Sequence, residues 1–96
     1  MTRIVWSPQS LQDLEVHRDF IAQDSPQYAD LTVRRIVAAV ERLEQFPLSG
    51  RVVPERRSLS LREVIVGRLR VVYRVSSGTV EIVTVFRGEQ SFPHVE

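Results

Sequence analysis

The sequence predicts an α+β domain. A helical hairpin should pack on a mainly antiparallel four-stranded sheet, in the order strand, helix, helix, strand, strand, strand. Three observations predict it. Ser7-Pro8 and Ser25-Pro26 each stand ahead of a stretch with helical periodicity. The segment 67–75, GRLRVVYRV, alternates apolar and polar residues as a half-buried strand does. Finally, 96 residues with 43% apolar and 26% charged side chains can bury one hydrophobic core and no second one.

Each element follows in turn. Residues 3–6 make a short strand. Ser7 then offers a hydroxyl to free helix N–H groups, and Pro8 suits the first helical position. The first helix is expected over 8–23, with Leu11, Leu14 and Ile21 as its stripe and Val16 and Phe20 beside it. His17 lies along this stripe and reads as a packed or edge residue. The second Ser-Pro pair opens a helix over 26–46. There Ala29, Val33, Ile36, Val37, Val40 and Leu43 recur at steps of three and four. Pro47 and Gly50 mark its end. The short link between the helices makes them an antiparallel hairpin.

Residues 48–58 are rich in turn formers and read as a connection. Strands are expected over 61–66, 69–75 and 80–87, separated by Gly67 and by the turn Ser76-Ser77-Gly78. The tail 88–96 has no periodicity. On the middle strand Leu69, Val71 and Tyr73 should face the helices. Arg68, Arg70 and Arg74 should then lie on an uncovered reverse face, interrupted only by Val72. Glu63 and Glu81 are the natural cross-strand partners for such arginines.

The formal net charge is +1, but it is unevenly spread. Residues 51–74 hold seven arginines against Glu55 and Glu63. Such a basic region suits nucleic acid or an acidic protein segment. All thirteen basic residues are arginine, whose planar fork matches phosphate and carboxylate. There is no cysteine, so disulfides and thiolate zinc sites are excluded. MTRIVWSPQ carries no long apolar run, so neither a signal peptide nor a membrane span is expected, and the location should be cytoplasmic. No phosphate-binding glycine loop and no Gly-x-Ser-x-Gly elbow occurs. The two histidines, His17 and His94, lack a spaced carboxylate motif for a metal. A plain nucleic-acid-binding module is disfavoured, because the arginine face carries no aromatic residues for base stacking.

The chain resembles the ParE/RelE superfamily, the toxins of type II toxin–antitoxin (plasmid stabilisation) pairs. The residues carrying the resemblance are Trp6-Ser7 with Asp13-Leu14, Ser25-Pro26 with Ala29, and Phe46-Pro47 through Gly50-Arg51 and Pro54-Glu55. Leu61-Arg62-Glu63, Arg70-Val71-Val72-Tyr73-Arg74, and Val80-Glu81-Ile82 through Val85-Phe86-Arg87 complete it. They span nearly the whole chain in order. The long hairpin and the Phe46–Arg51 connection favour the ParE-like subgroup.

That resemblance implies one toxin domain over 1–96 that inhibits DNA gyrase, needs no cofactor, and is covered by a cognate antitoxin. A dimer or a toxin–antitoxin hetero-oligomer fits this picture. Target and antitoxin contacts then fall to Arg57, Arg62, Arg68, Arg70, Arg74 and Arg87. The alternative is a RelE-like endoribonuclease that cuts messenger RNA in the ribosome. It would use Arg70 and Arg87 on the phosphate and His94 to move a proton. Leu61 and Glu63 occupy positions where such nucleases carry lysines, and a carboxylate there would repel the phosphate.

Overall fold

A computed structural model describes residues 2–94, the side chains of Ser58 and Leu59 apart. Its elements run β1 (Arg3–Trp6), α1 (Pro8–Ala22), α2 (Pro26–Glu41), β2 (Arg51–Val52), β3 (Leu61–Val66), β4 (Leu69–Ser76) and β5 (Thr79–Arg87). Both serine–proline pairs begin helices. Ser7 Oγ accepts from the Ser10 N–H at 3.0 Å, and Ser25 Oγ accepts from the Tyr28 N–H at 3.1 Å. Each hydroxyl satisfies an N–H that the first helical turn leaves without a backbone partner.

α2 is shorter than its apolar period suggests. It passes into a 3-10 turn over Arg42–Glu44, which still delivers Leu43 to the core. Pro47 disfavours helical backbone at Phe46, so the helix must loosen before it. α1 departs further from expectation. Its expected stripe is largely open, with Leu11, Val16 and Phe20 between 53% and 59% exposed. Leu14 packs on the core, and Ser10 is the one fully buried α1 residue.

The sheet order is β1-β5-β4-β3-β2, with β1 parallel to β5 and every other pair antiparallel. The fifth strand, β2, comes from the connection 48–58. It pairs Arg51 with Glu63 and Val52 with Arg62. Two residues are too short for a period-two signal, so this strand is invisible in sequence. The β4–β5 hairpin turns at Ser77 (φ 43°) and Gly78 (φ 77°). Two consecutive left-handed residues suit the right-handed twist of the flanking strands.

Two cores form, one on each face of the sheet. On the helix side Ile36, Val40 and Leu43 pack on Leu69, Val71, Tyr73, Val80, Ile82 and Val85. The reverse face also has a core: Val53, Leu61, Val72 and Phe86, with Val83 and Phe92 against it. The expected uncovered reverse face is therefore corrected. Val53 from the connection and Phe92 from the tail cover it. Val72, the apolar interruption among the arginines, is a centre of this second core and is fully buried. The tail's last two residues, Val95 and Glu96, lie outside the described residues. No helix among the described residues is long and apolar enough to cross a membrane.

β4 and β5 slip register beside Val72/Tyr73. Val72 faces Thr84 and Tyr73 faces Ile82, so Val83 is passed over. Such a bulge disrupts the local ladder. Side chains from the start of the hairpin serve the backbone there. Ser7 Oγ donates to the Val83 carbonyl at 3.0 Å. Asp13 accepts from Thr84 Oγ1 at 2.5 Å and from the Val85 N–H at 3.1 Å. His17 Nε2 donates to the Val85 carbonyl at 3.1 Å. These contacts anchor α1, which has little apolar burial of its own.

Candidate functional site

Arg70 lies at the centre of the arginine-rich half of the chain, and it is buried. Its Nε donates to Glu63 Oε1 at 2.7 Å. Its two terminal nitrogens grip both oxygens of Glu55, at 2.8 and 2.9 Å. Arg51 Nε closes the network on Glu63 Oε2 at 2.5 Å. The guanidinium stacks 4.9 Å from the Phe86 ring centroid and 5.7 Å from that of Phe92. Glu63 is 1% exposed, so its charge needs the two arginines. The hydrogen bonds from Arg70 hold the Glu55 carboxyl down at about 2. The same contact, led by Glu55, pushes Arg70 further above its already high range.

The expectation that Arg68, Arg70 and Arg74 share an open face is thus corrected at Arg70. Arg68 sits exposed in the β3–β4 turn. Arg74 is half-buried and pairs across the strands with Glu81 at 3.4 Å. Arg62 lies opposite Tyr73, on the helix side. It donates to the Leu48 carbonyl at 3.2 Å and the Gly50 carbonyl at 2.8 Å. The buried Tyr73 hydroxyl accepts from the Gly50 N–H at 2.9 Å. Burial, the largest influence, pushes its ionisation up. Arg62 and Tyr73 therefore fasten the segment leading into β2. Arg57 is exposed at the end of the 3-10 segment Pro54–Leu59. Arg87 donates to Glu89 at 2.8 Å and lies 5.7 Å from the Phe20 ring.

The residues of a phosphodiester-cleaving site do not come together. Arg70 pairs with Phe86 of the reverse core, whereas Arg87 pairs with Leu69 of the helix-side core. The two guanidiniums therefore leave opposite faces of the sheet. Three different cavities receive the three side chains. Arg70 lines a shallow hollow of about 500 Å³ with Arg51, Ile65 and Glu89. Arg87 lines a cleft of about 420 Å³ between the helices and the β3–β4 turn. His94 lines a groove of about 1080 Å³ with Asp13, His17 and Arg74. Among the described residues no group of three or more His, Cys, Asp or Glu is arranged to hold a metal ion.

The sequence matches the ParE toxin family of type II toxin–antitoxin (parDE) systems over residues 4–92. The chain belongs to the ParE toxin family. It is 36% identical over 95 residues to the Sinorhizobium fredii protein Y4kP, described as a candidate toxin, covering 97% of this chain and 95% of that relative. It is 35% identical over 86 residues to Toxin RelE2 of Caulobacter vibrioides, covering 88% and 93%. Among solved structures, a chain of the chromosomal ParDE TA system from P. aeruginosa superposes with a TM-score of 0.74. At 23% identity it covers 93% of this chain and 98% of that one, and it shows the same fold.

In this ParE-family toxin, Glu63 takes the arginine-partner role that its strand position predicts, and burial makes it the centre of the network. It is the buried anchor for Arg51 and Arg70. His17, expected as a packed or edge residue, and Asp13, which helical periodicity does not mark, tie α1 to β5. The available signal was local: the Asp13-Leu14 pair followed by His17 places polar groups along an apolar stripe.

Proposed function

We propose that this toxin arrests growth by inhibiting DNA gyrase, and that a cognate antitoxin neutralises it. It acts in this reading as a single domain in the cytoplasm, without a cofactor. One observation carries the choice of target. The arginine that phosphate chemistry would need, Arg70, is bound by two carboxylates and stacked on Phe86. A guanidinium so committed must break charge-assisted hydrogen bonds before it can stabilise a pentacovalent phosphate. A poison that works by binding needs no such assembly.

Membership of the ParE family and the fold shared with a chain of a ParDE system support an antitoxin partner. The accessible arginines for target or antitoxin contact are Arg57, Arg68 and Arg87. Arg74 contributes beside Glu81, while Arg62 and Arg70 shape the surface from within. A dimer or a toxin–antitoxin hetero-oligomer accommodates this arrangement.

The test is expression without antitoxin, followed by separate assays of gyrase supercoiling and of transcripts in a translating extract. Loss of supercoiling with intact transcripts is the expected result. The similarity to Toxin RelE2 favours a second reading, cleavage of messenger RNA. Cleaved transcripts that disappear in His94→Ala would replace the gyrase reading with it.

A further inference from the structure

The cleft that receives Arg87 differs in character from the Arg70 network. Three arginines line it from three parts of the fold: Arg35 from α2, Arg87 from β5, and Arg68 from the β3–β4 turn, which also borders the hollow that holds Arg70 and Glu89. The helices add Phe20 and Tyr28, each more than half exposed. The lining contains no carboxylate. Among the described residues Arg35 and Arg68 form no ion pair, although the Arg68 charge acts on Glu89, and Arg87 holds Glu89 through Nε and Nη2 in an exposed pair that water screens, unlike the buried Arg70 network. Arg87 also lies over the Phe20 ring, 5.7 Å from its centroid.

We propose that this cleft binds a nucleotide, with a phosphate held by Arg35, Arg68 and Arg87 and a base against Phe20 and Tyr28. The charge calls for an anion. Three arginines exceed what the one exposed carboxylate beside them, Glu89, can pair, and they match the several oxygens of a phosphate. The rings supply a sequence-tolerant platform for a planar base. A cavity of about 420 Å³ is the size of a small-molecule site. Walls from both helices and the β3–β4 turn make it compact, which suits one nucleotide better than an extended acidic peptide. The rings of this cleft come from the helices, since the strand aromatic beside an arginine, Phe86, stacks on Arg70 on the opposite face. The nucleotide can arrive free or as an accessible unit of a single strand. The site shares Arg68 and Arg87 with the proposed target or antitoxin contact, but it rests on neither side of the choice between gyrase and ribosome.

The purified full chain is titrated calorimetrically with adenosine monophosphate, adenosine, inorganic phosphate, a single-stranded deoxyadenosine oligomer and a glutamate-rich peptide. The monophosphate should bind about tenfold or more tighter than adenosine or phosphate alone, because only it engages both halves of the cleft. Arg35→Ala and Arg68→Ala should each weaken it about tenfold, the loss of one charge-assisted contact. Phe20→Ala and Tyr28→Ala should weaken the monophosphate and leave phosphate binding unchanged. Arg34→Ala, on the same helix but outside the cleft, should change nothing. Shifts of the Phe20 and Tyr28 ring protons on adding the monophosphate locate the site in the unaltered chain. Oligomer binding that the monophosphate competes away assigns a strand-borne nucleotide; binding of the monophosphate alone assigns a free one. The proposal is overturned if phosphate binds as tightly as the monophosphate or if the arginine variants bind normally. It is equally overturned if the peptide occupies the cleft and the monophosphate cannot displace it.

Discussion

Replacing Arg70 by alanine removes three charge-assisted hydrogen bonds and a cation stacked on Phe86 and Phe92. The chief loss is at Glu63, whose side chain is 0% exposed. After the change it keeps Arg51, but the Arg51 side chain is 60% exposed and holds the carboxylate weakly. Removing one partner of a buried pair costs about 3–5 kcal/mol, a large share of the roughly 5–15 kcal/mol that stabilises an ordinary domain. For a chain of this size each kcal/mol is worth about 4–8 °C, so Tm should fall by at least about 12 °C. Thermal and urea unfolding followed by circular dichroism measure this.

Two controls isolate the cause. Glu55→Gln removes the partly exposed partner and should cost only about 1 kcal/mol. The double change Arg70→Met with Glu63→Leu removes both buried charges at once and should recover most of the stability. A Tm within about 3 °C of wild type for Arg70→Ala would refute the reasoning, since that shift corresponds to less than about 1 kcal/mol. A coupling energy between positions 63 and 70 below about 0.5 kcal/mol would do the same, because that is the level expected of independent sites.

Two further outcomes follow from neighbouring groups. A Cβ at Gly50 would lie 2.5 Å from the Tyr73 hydroxyl and 2.6 Å from the Glu63 carbonyl, so Gly50→Ala must displace backbone. It should destabilise by about 1–3 kcal/mol, read from the urea midpoint. Acid should loosen the Arg70 network through Glu55, whose carboxyl titrates at about 2 when folded against 4.5 ordinarily. A lowered folded value means the stabilisation is present in full above the ordinary value and is lost as pH falls toward 2. Glu55→Gln should therefore flatten the decline of Tm between about pH 4.5 and pH 2; an unchanged decline would mean that Glu55 carries no such linkage.

The element order was legible because it rests on local chemistry. Ser7 and Ser25 cap helices wherever the chain goes, and Ser77-Gly78 turns a hairpin through its own backbone preferences. The alternation around Leu69, Val71 and Tyr73 set the register that buries them under α2. The resemblance drew on these same landmarks, spread along the chain in order.

Which arginines are buried was decided only by tertiary contact, although the Arg74–Glu81 pair follows from cross-strand position. Period two separates Arg70 from Val71, but it does not say whether the face carrying Arg70 meets water. Val53 and Phe92, from segments without periodicity, cover that face, and Glu55 and Glu63 arrive from 15 and 7 residues away to neutralise Arg70. The opposite placement of Arg87 follows from its pairing with Leu69, a fact of register between strands and not of either strand alone. Local sequence therefore determined the caps, turns and alternation. Burial and pairing depended on which distant segments meet, because a charge is tolerated or exposed according to its neighbours in space.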